Sequence, residues 1–201
     1  MNAKIVTLGL VGLLGLAVVG FVLVVLIISW FSNPPFGLGN APPQPVAFPH
    51  TIHAGTPAEG GMGIQCEFCH RNVTRGAEAT VPAVEQCLFC HQQVTGRTES
   101  AKMEIAKFAD NPEGTQPINW ERVHRLPDHV RFIHEAHVRF FTQGDTPDRQ
   151  LEVAQVCSEC HGDVASMTEV QPMKGQSLKM GTCLDCHRDK NVATDCTVCH
   201  K

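Results

Sequence analysis

The chain contains no tyrosine and only two tryptophans in 201 residues, and aromatic side chains make up 6% of it. Large rigid side chains supply much of a protein core. Outside one apolar stretch near the N-terminus, the sequence has too little bulk for a self-sufficient hydrophobic interior, so a non-protein group is expected to fill the middle. No run of lysine and arginine occurs and the formal net charge is −4, which argues against a nucleic-acid partner. Catalytic signatures are missing too: there is no nucleophile elbow, no glycine-rich phosphate loop and no HExxH. One further absence organises the rest. No cysteine lies outside five short boxes, although the chain has ten cysteines.

The boxes are "CEFCH" at 66–70, "CLFCH" at 87–91, "CSECH" at 157–161, "CLDCH" at 183–187 and "CTVCH" at 196–200. In a helical turn, positions i, i+3 and i+4 share a face. Each box therefore presents two thiols and an imidazole to one flat object. Two thiols can add to the two vinyl groups of a haem while the imidazole takes the iron, which is the pattern of c-type haem attachment. Zinc ribbons also use CxxC pairs, but they take two boxes per metal and need no histidine after each. Thioredoxin-like pairs expect a βαβ setting, and structural disulfides leave the histidines unexplained. The reading is five covalent haems c, with thioether links at Cys66, Cys69, Cys87, Cys90, Cys157, Cys160, Cys183, Cys186, Cys196 and Cys199. The proximal ligands are then His70, His91, His161, His187 and His200.

From Ile5 to Phe31 the sequence carries no charged residue. As a helix this stretch would run roughly 40 Å, more than a ~30 Å hydrocarbon core requires. A cleaved signal peptide would have a shorter apolar region, so residues 1–31 read as a single transmembrane anchor. Lys4 and the amino terminus are the nearby positive charges, which predicts a cytoplasmic N-terminus and a periplasmic remainder, with Trp30 at the interface. Gly9, Gly12, Gly15 and Gly20 would allow a second membrane helix to approach. Residues 32–47, "SNPPFGLGNAPPQPVA", read as a proline-rich tether.

Eleven histidines less the five in boxes leave His50, His53, His124, His129, His134 and His137. Five six-coordinate irons need five distal ligands. "FPHTIHA" at 48–54 is echoed by "FIHEAHV" at 132–138, and each is followed by two boxes. The chain thus reads as a duplicated two-haem unit, 48–91 and 132–187, with a connector at 92–131 and a fifth box at 196–200. The two HxxH pairs supply four distal ligands. The fifth comes from "WERVHRLPDHV", as His124 or His129. Methionine is the other candidate type, from Met62, Met103, Met167, Met173 or Met180, with Met180 ahead of Cys183 the foremost. If every iron is saturated, no substrate reaches a metal, and the protein carries electrons without doing bond chemistry. Arg122, Arg125, Arg131 and Arg139 surround the distal histidines and suit haem propionates.

With these motifs in hand, the chain resembles the membrane-anchored pentahaem cytochrome c subunit of bacterial alternative complex III. The stretch "WERVHRLPDHVRFIHEAHV" and the box "MGTCLDCHR" carry most of the likeness, and the haem-binding half is similar to class III multihaem cytochromes. The resemblance implies distal ligation by His50, His53, His124, His134 and His137, with His129 the spare. It implies an electron-transfer subunit of the bacterial inner membrane with no substrate site of its own. Its partners would be an iron–sulfur subunit, quinol-binding membrane subunits and a monohaem cytochrome c, and electrons would pass from quinol to a periplasmic cytochrome, cupredoxin or oxidase. Two other readings of the same boxes are a membrane-anchored multihaem quinol dehydrogenase feeding a periplasmic reductase, and a reductase with an open catalytic iron. The expected fold is one N-terminal transmembrane helix plus a haem-dominated, mostly helical or irregular cytochrome c domain at 48–201 with little or no sheet.

Overall fold

The computed structural model of the chain describes residues 3–32, 41–109, 116–173 and 178–200. Contacts divide the chain into two compact units, Met1–Gly39 and Asn40–Lys201. The first contains one helix, α1, Ala3–Ser32. Its stretch Thr7–Ile28 is long and apolar enough to cross a membrane. Valine and isoleucine are indifferent helix formers in water, but a segment in lipid must satisfy its backbone internally, and the helix does so. A Cβ at Gly9, Gly12, Gly15 or Gly20 would meet nothing within 4 Å. The side chain of Trp30, and residues 33–40 of the expected tether, lie outside the described residues.

The second unit is built from short helices: α2 (His50–His53), α3 (Cys66–Cys69), α4 (Val84–His91), α5 (Glu99–Ala109), α6 (His134–Thr142), α7 (Val153–His161), α8 (Met180–Asp189) and α9 (Cys196–Cys199). Among the described residues the one trace of β-structure is an isolated antiparallel bridge between Val130 and His200. The expected helical character with almost no sheet is what the chain adopts. Helices of one to three turns are unstable alone, so tertiary contacts must hold them. Each box helix starts directly after an extended residue, namely Gln65, Ala83, Glu152, Lys179 and Asp195. At the start of α7, Glu152 and Gln155 form a reciprocal capping box.

The protein core is small. Among the described residues, the buried apolar side chains are Val46, Val73, Val84, Val138 and Val156. Val73, Val138 and Val156 cluster together, flanked by Ala79, Phe141, Leu151 and Val153. Ordering a residue's backbone costs about 1–2 kcal/mol, which a few buried valines cannot offset over a unit of this length. Meanwhile Phe68 and Phe89, both inside boxes, are 45% and 67% exposed.

The cluster joins the two halves, because Val73 follows the first box whereas Val138 and Val156 belong to α6 and α7. Backbone bonds repeat the exchange. Thr51 N–H donates to Met167 O (3.3 Å), and His134 and Glu135 N–H donate to Ala77 O and Gly76 O (3.1 Å each). Met167 and Gly76 each lie six positions beyond a box histidine, His161 and His70. Each FxHxxH segment therefore docks on the loop after the first box of the opposite half. The proline-rich segment also ends in contacts. Gln44 exchanges hydrogen bonds with the Glu121 backbone (2.9 and 3.1 Å), Ala47 N–H donates to Glu104 on α5 (2.9 Å), and Val46 is buried.

Candidate functional site

All five CxxC pairs are helical turns. In α4, α7 and α8 the helix continues through the histidine, whereas His70 and His200 are the first residues beyond α3 and α9. All ten cysteines are free thiols, none of them buried. Among the described residues, no three His, Cys, Asp or Glu side chains converge on one metal-sized point. A zinc ion needs about four such ligands. A porphyrin brings four nitrogens of its own and asks the protein for two.

The imidazoles share a bonding pattern. A backbone carbonyl can only accept, so each of the following bonds fixes a proton on Nδ1. His70 Nδ1 donates to Thr80 O (2.5 Å), His91 Nδ1 to Val94 O (2.8 Å) and His187 Nδ1 to Ala193 O (2.6 Å). Outside the boxes, His53 Nδ1 donates to Pro49 O (2.9 Å), His134 Nδ1 to Ala77 O (2.7 Å) and His137 Nδ1 to Ile133 O (2.8 Å). In every case Nε2 is left on the far side of the ring from that bond. Fixing the tautomer this way is how proteins orient metal-binding histidines. The accepting carbonyls carry no side-chain signature, so the sequence reading missed them. The signal available was the parallel i−4 offset of Pro49 from His53 and Ile133 from His137.

Box and non-box rings then come together in pairs. Ring centroids are 6.1 Å apart for His53 and His91, 6.1 Å for His137 and His187, and 6.4 Å for His134 and His161. Metal–imidazole bonds of about 2 Å on each side of an iron would put trans ring centroids about 6 Å apart. His50 lies close enough to His70 for the two to repel electrostatically. The phenylalanines of the two echoed segments act alike. Phe48 stacks on His53 (4.2 Å) and meets His50 edge-on (5.0 Å), and Phe132 stacks on His137 (4.3 Å) and meets His134 edge-on (4.8 Å).

The two connector histidines meet different box rings. His124 sits against His161, with centroids 4.5 Å apart and planes at 76°, too close for an iron between them. His129 sits beside His200 at 5.4 Å and 17°. Burial, ahead of repulsion from neighbouring histidines, lowers His50 and His161 to about 4. Burial also lowers His53, His124 and His137, so these rings stay neutral, the state a metal ligand needs. His50 Nδ1 and His124 Nε2 are buried without a hydrogen-bond partner among the described residues.

Two of the fixed imidazoles depend on unusual backbone. Thr80, whose carbonyl holds His70, has φ 61°, and Asn191, two residues before Ala193, has φ 52°. A β-branched residue rarely accepts this left-handed conformation, and such strain persists where surrounding structure enforces it. The first and third boxes also meet, since α3 packs against α7.

Of the methionines, Met62, Met103 and Met180 are exposed, with Met180 the first residue of α8. Met167 and Met173 line the space beside Gly162. Arg139 pairs with Glu135 and Arg125 with Glu121 (3.6 Å), while Arg122 and Arg131 are exposed. Compared with known proteins, the chain matches no family model and no curated sequence.

Proposed function

We propose that the chain is a membrane-anchored electron carrier holding five covalent haems c, a subunit of a quinol-oxidising respiratory or photosynthetic complex. The observation that carries this reading is the set of imidazoles held through Nδ1 by backbone carbonyls, three of them in boxes and three outside, with box and non-box rings about 6 Å apart. The donor set fits the group. Paired thiols stand ready at each box, burial favours the neutral ring at His50, His53, His124, His137 and His161, and Phe68 and Phe89 inside the first two boxes offer apolar surface to a porphyrin face.

When bound, the haems supply one-electron redox chemistry. The chain's own residues do the remaining work. Cys66 and Cys69, and their counterparts in the other boxes, anchor the groups covalently. His70, His91, His161, His187 and His200 would each hold one iron, and five of the six non-box histidines would supply the second protein ligand. Each HxxH holds two sites to one short helix, which keeps neighbouring sites close. Because His53, His134 and His137 are locked through Nδ1, their ring orientation need not reorganise when charge changes, which favours fast electron exchange.

The helix α1 would place the carrier at the bacterial inner membrane with the haem domain on the periplasmic side, following Lys4 and the amino terminus. The partner set rests on the likeness of "WERVHRLPDHVRFIHEAHV" and "MGTCLDCHR": an iron–sulfur subunit, quinol-binding membrane subunits and a monohaem cytochrome c. The test is to mature the full chain in a host that attaches haem c, count haem by pyridine haemochrome, and identify what co-purifies in mild detergent. Five haems per chain and a quinol-oxidising assembly are expected. Bound zinc, or three haems or fewer, would defeat the reading, and quinol oxidation by the isolated subunit would instead make it a quinol dehydrogenase.

A further inference from the structure

The sequence supplies six non-box histidines for five irons, and the connector holds the two that compete, His124 and His129. Resemblance favours His124. The geometry points to His129 as the axial partner of His200 at the fifth box, an inference that rests on the haem reading above and assigns a ligand that reading leaves open.

Three contacts tie the connector to the fifth box at adjacent positions. The His129 and His200 rings lie 5.4 Å apart with planes at 17°. Val130 forms an antiparallel bridge with His200. Arg131 N–H donates to Cys199 O at 2.6 Å. The bridge fastens the residue after His129 to His200 itself, so the connector backbone is held beside the fifth box. Among the described residues His129 is the one non-box imidazole with a ring contact to His200, whereas every other box histidine has a neighbour from an HxxH pair.

His124 is drawn elsewhere. Its ring contacts His161, which already has His134 at 6.4 Å with planes at 10°. One iron takes only one of these two rings opposite His161. His129 is also set by sequence to reach its site: Val130 N–H donates to Pro127 O at 2.9 Å, closing a turn that begins at Pro127 and presents His129 just before the bridge.

The experiment uses the full-length, haem-loaded protein in detergent. Two variants are compared, His129→Ala and the fifth-box knock-out Cys196→Ser/Cys199→Ser, together with their combination. Covalent haem is counted by pyridine haemochrome, and low-spin iron by electron paramagnetic resonance and magnetic circular dichroism. His129→Ala is expected to keep all five covalent haems but to turn one from low-spin to high-spin, with added imidazole restoring it. His129→Met is expected to stay low-spin with a raised potential, since thioether ligation favours the ferrous state. In the knock-out background, His129→Ala should change nothing further. If His129→Ala alone leaves five low-spin haems, or if it still creates a high-spin haem once the fifth box is removed, the assignment is wrong. If the unaltered protein carries no covalent haem, the underlying reading fails instead, and the haem count separates the two failures.

Discussion

At the scale of single residues, burial and hydrogen bonding decide which protonation state each imidazole holds. Burial, reinforced by repulsion from His70 and His53, lowers His50 to about 4, and burial with repulsion from His124, His134 and His70 lowers His161 to about 4. In an unfolded chain both return to about 6.5. Between those values the unfolded chain binds more protons than the folded one, so stability increases with pH across the window. Above about 6.5 the stabilisation is complete, and it is lost as pH falls toward about 4. Iron ligation acts in the same direction, because it also requires the neutral ring. The guanidinium midpoint of the haem-loaded protein should be flat from pH 8 to 7 and fall between pH 6.5 and 5, above the range where carboxylates begin to contribute. A midpoint unchanged down to pH 5 would mean that these rings are not held neutral by the fold.

At the scale of elements, α6 shows why the histidine pairs are spaced as they are. His134 and His137 stand three apart, so in a helix they project from similar sides without superposing. Their neighbours differ: His134 is 6.4 Å from His161, and His137 is 6.1 Å from His187. Each should therefore serve a different iron. His134→Ala and His137→Ala should each turn one haem high-spin while all five remain attached, and the two should perturb different haems when their spectra are compared. Four low-spin haems in the double variant would show that both rings compete for a single site. The spacing of the pair was legible in the sequence, where FxHxxH occurs at 48–53 and 132–137, but the box ring that each histidine meets is read from the structure. The docking of the connector was not legible in the sequence. His124 and His129 sit five residues apart in similar surroundings, and what separates them is a bridge from Val130 to His200 across the chain. The connector also hides α5, whose Glu99–Lys102 and Glu104–Lys107 pairs (2.7 and 2.6 Å) support a helix that the box-centred reading passed over. Likewise the exchange of Thr51 with Met167 and of His134 with Ala77 uses backbone groups, which every residue type carries.

At the scale of the molecule, the chain is one apolar helix and one unit of short helices, and the boundary between them carries the last prediction. The expected tether runs from 32 to 47, but its final residues belong to the second unit: Gln44 bonds the Glu121 backbone, Lys107 on α5 donates to Pro45 O at 3.3 Å, and Val46 is buried. Contact grouping places the division at Gly39 and Asn40. A protease acting from outside on spheroplasts should thus cut upstream of Gln44 and release a soluble fragment. Because Val46 and the Ala47–Glu104 bond remain in that fragment, it should keep all five haems and the same low-spin spectrum as the anchored protein. A recombinant chain starting at Ala47 lacks the Gln44 bonds and buried Val46. Losing one buried valine and its neighbouring contacts costs about 2–3 kcal/mol, which in a unit with so few buried side chains should lower its unfolding temperature by several degrees. Equal stability of the two fragments would show that residues 44–46 contribute nothing to the domain. The same digestion reports orientation. Released haem on the outside agrees with Lys4 and the amino terminus holding the N-terminus in the cytoplasm, whereas a haem domain that is protected until the cells are opened would reverse it.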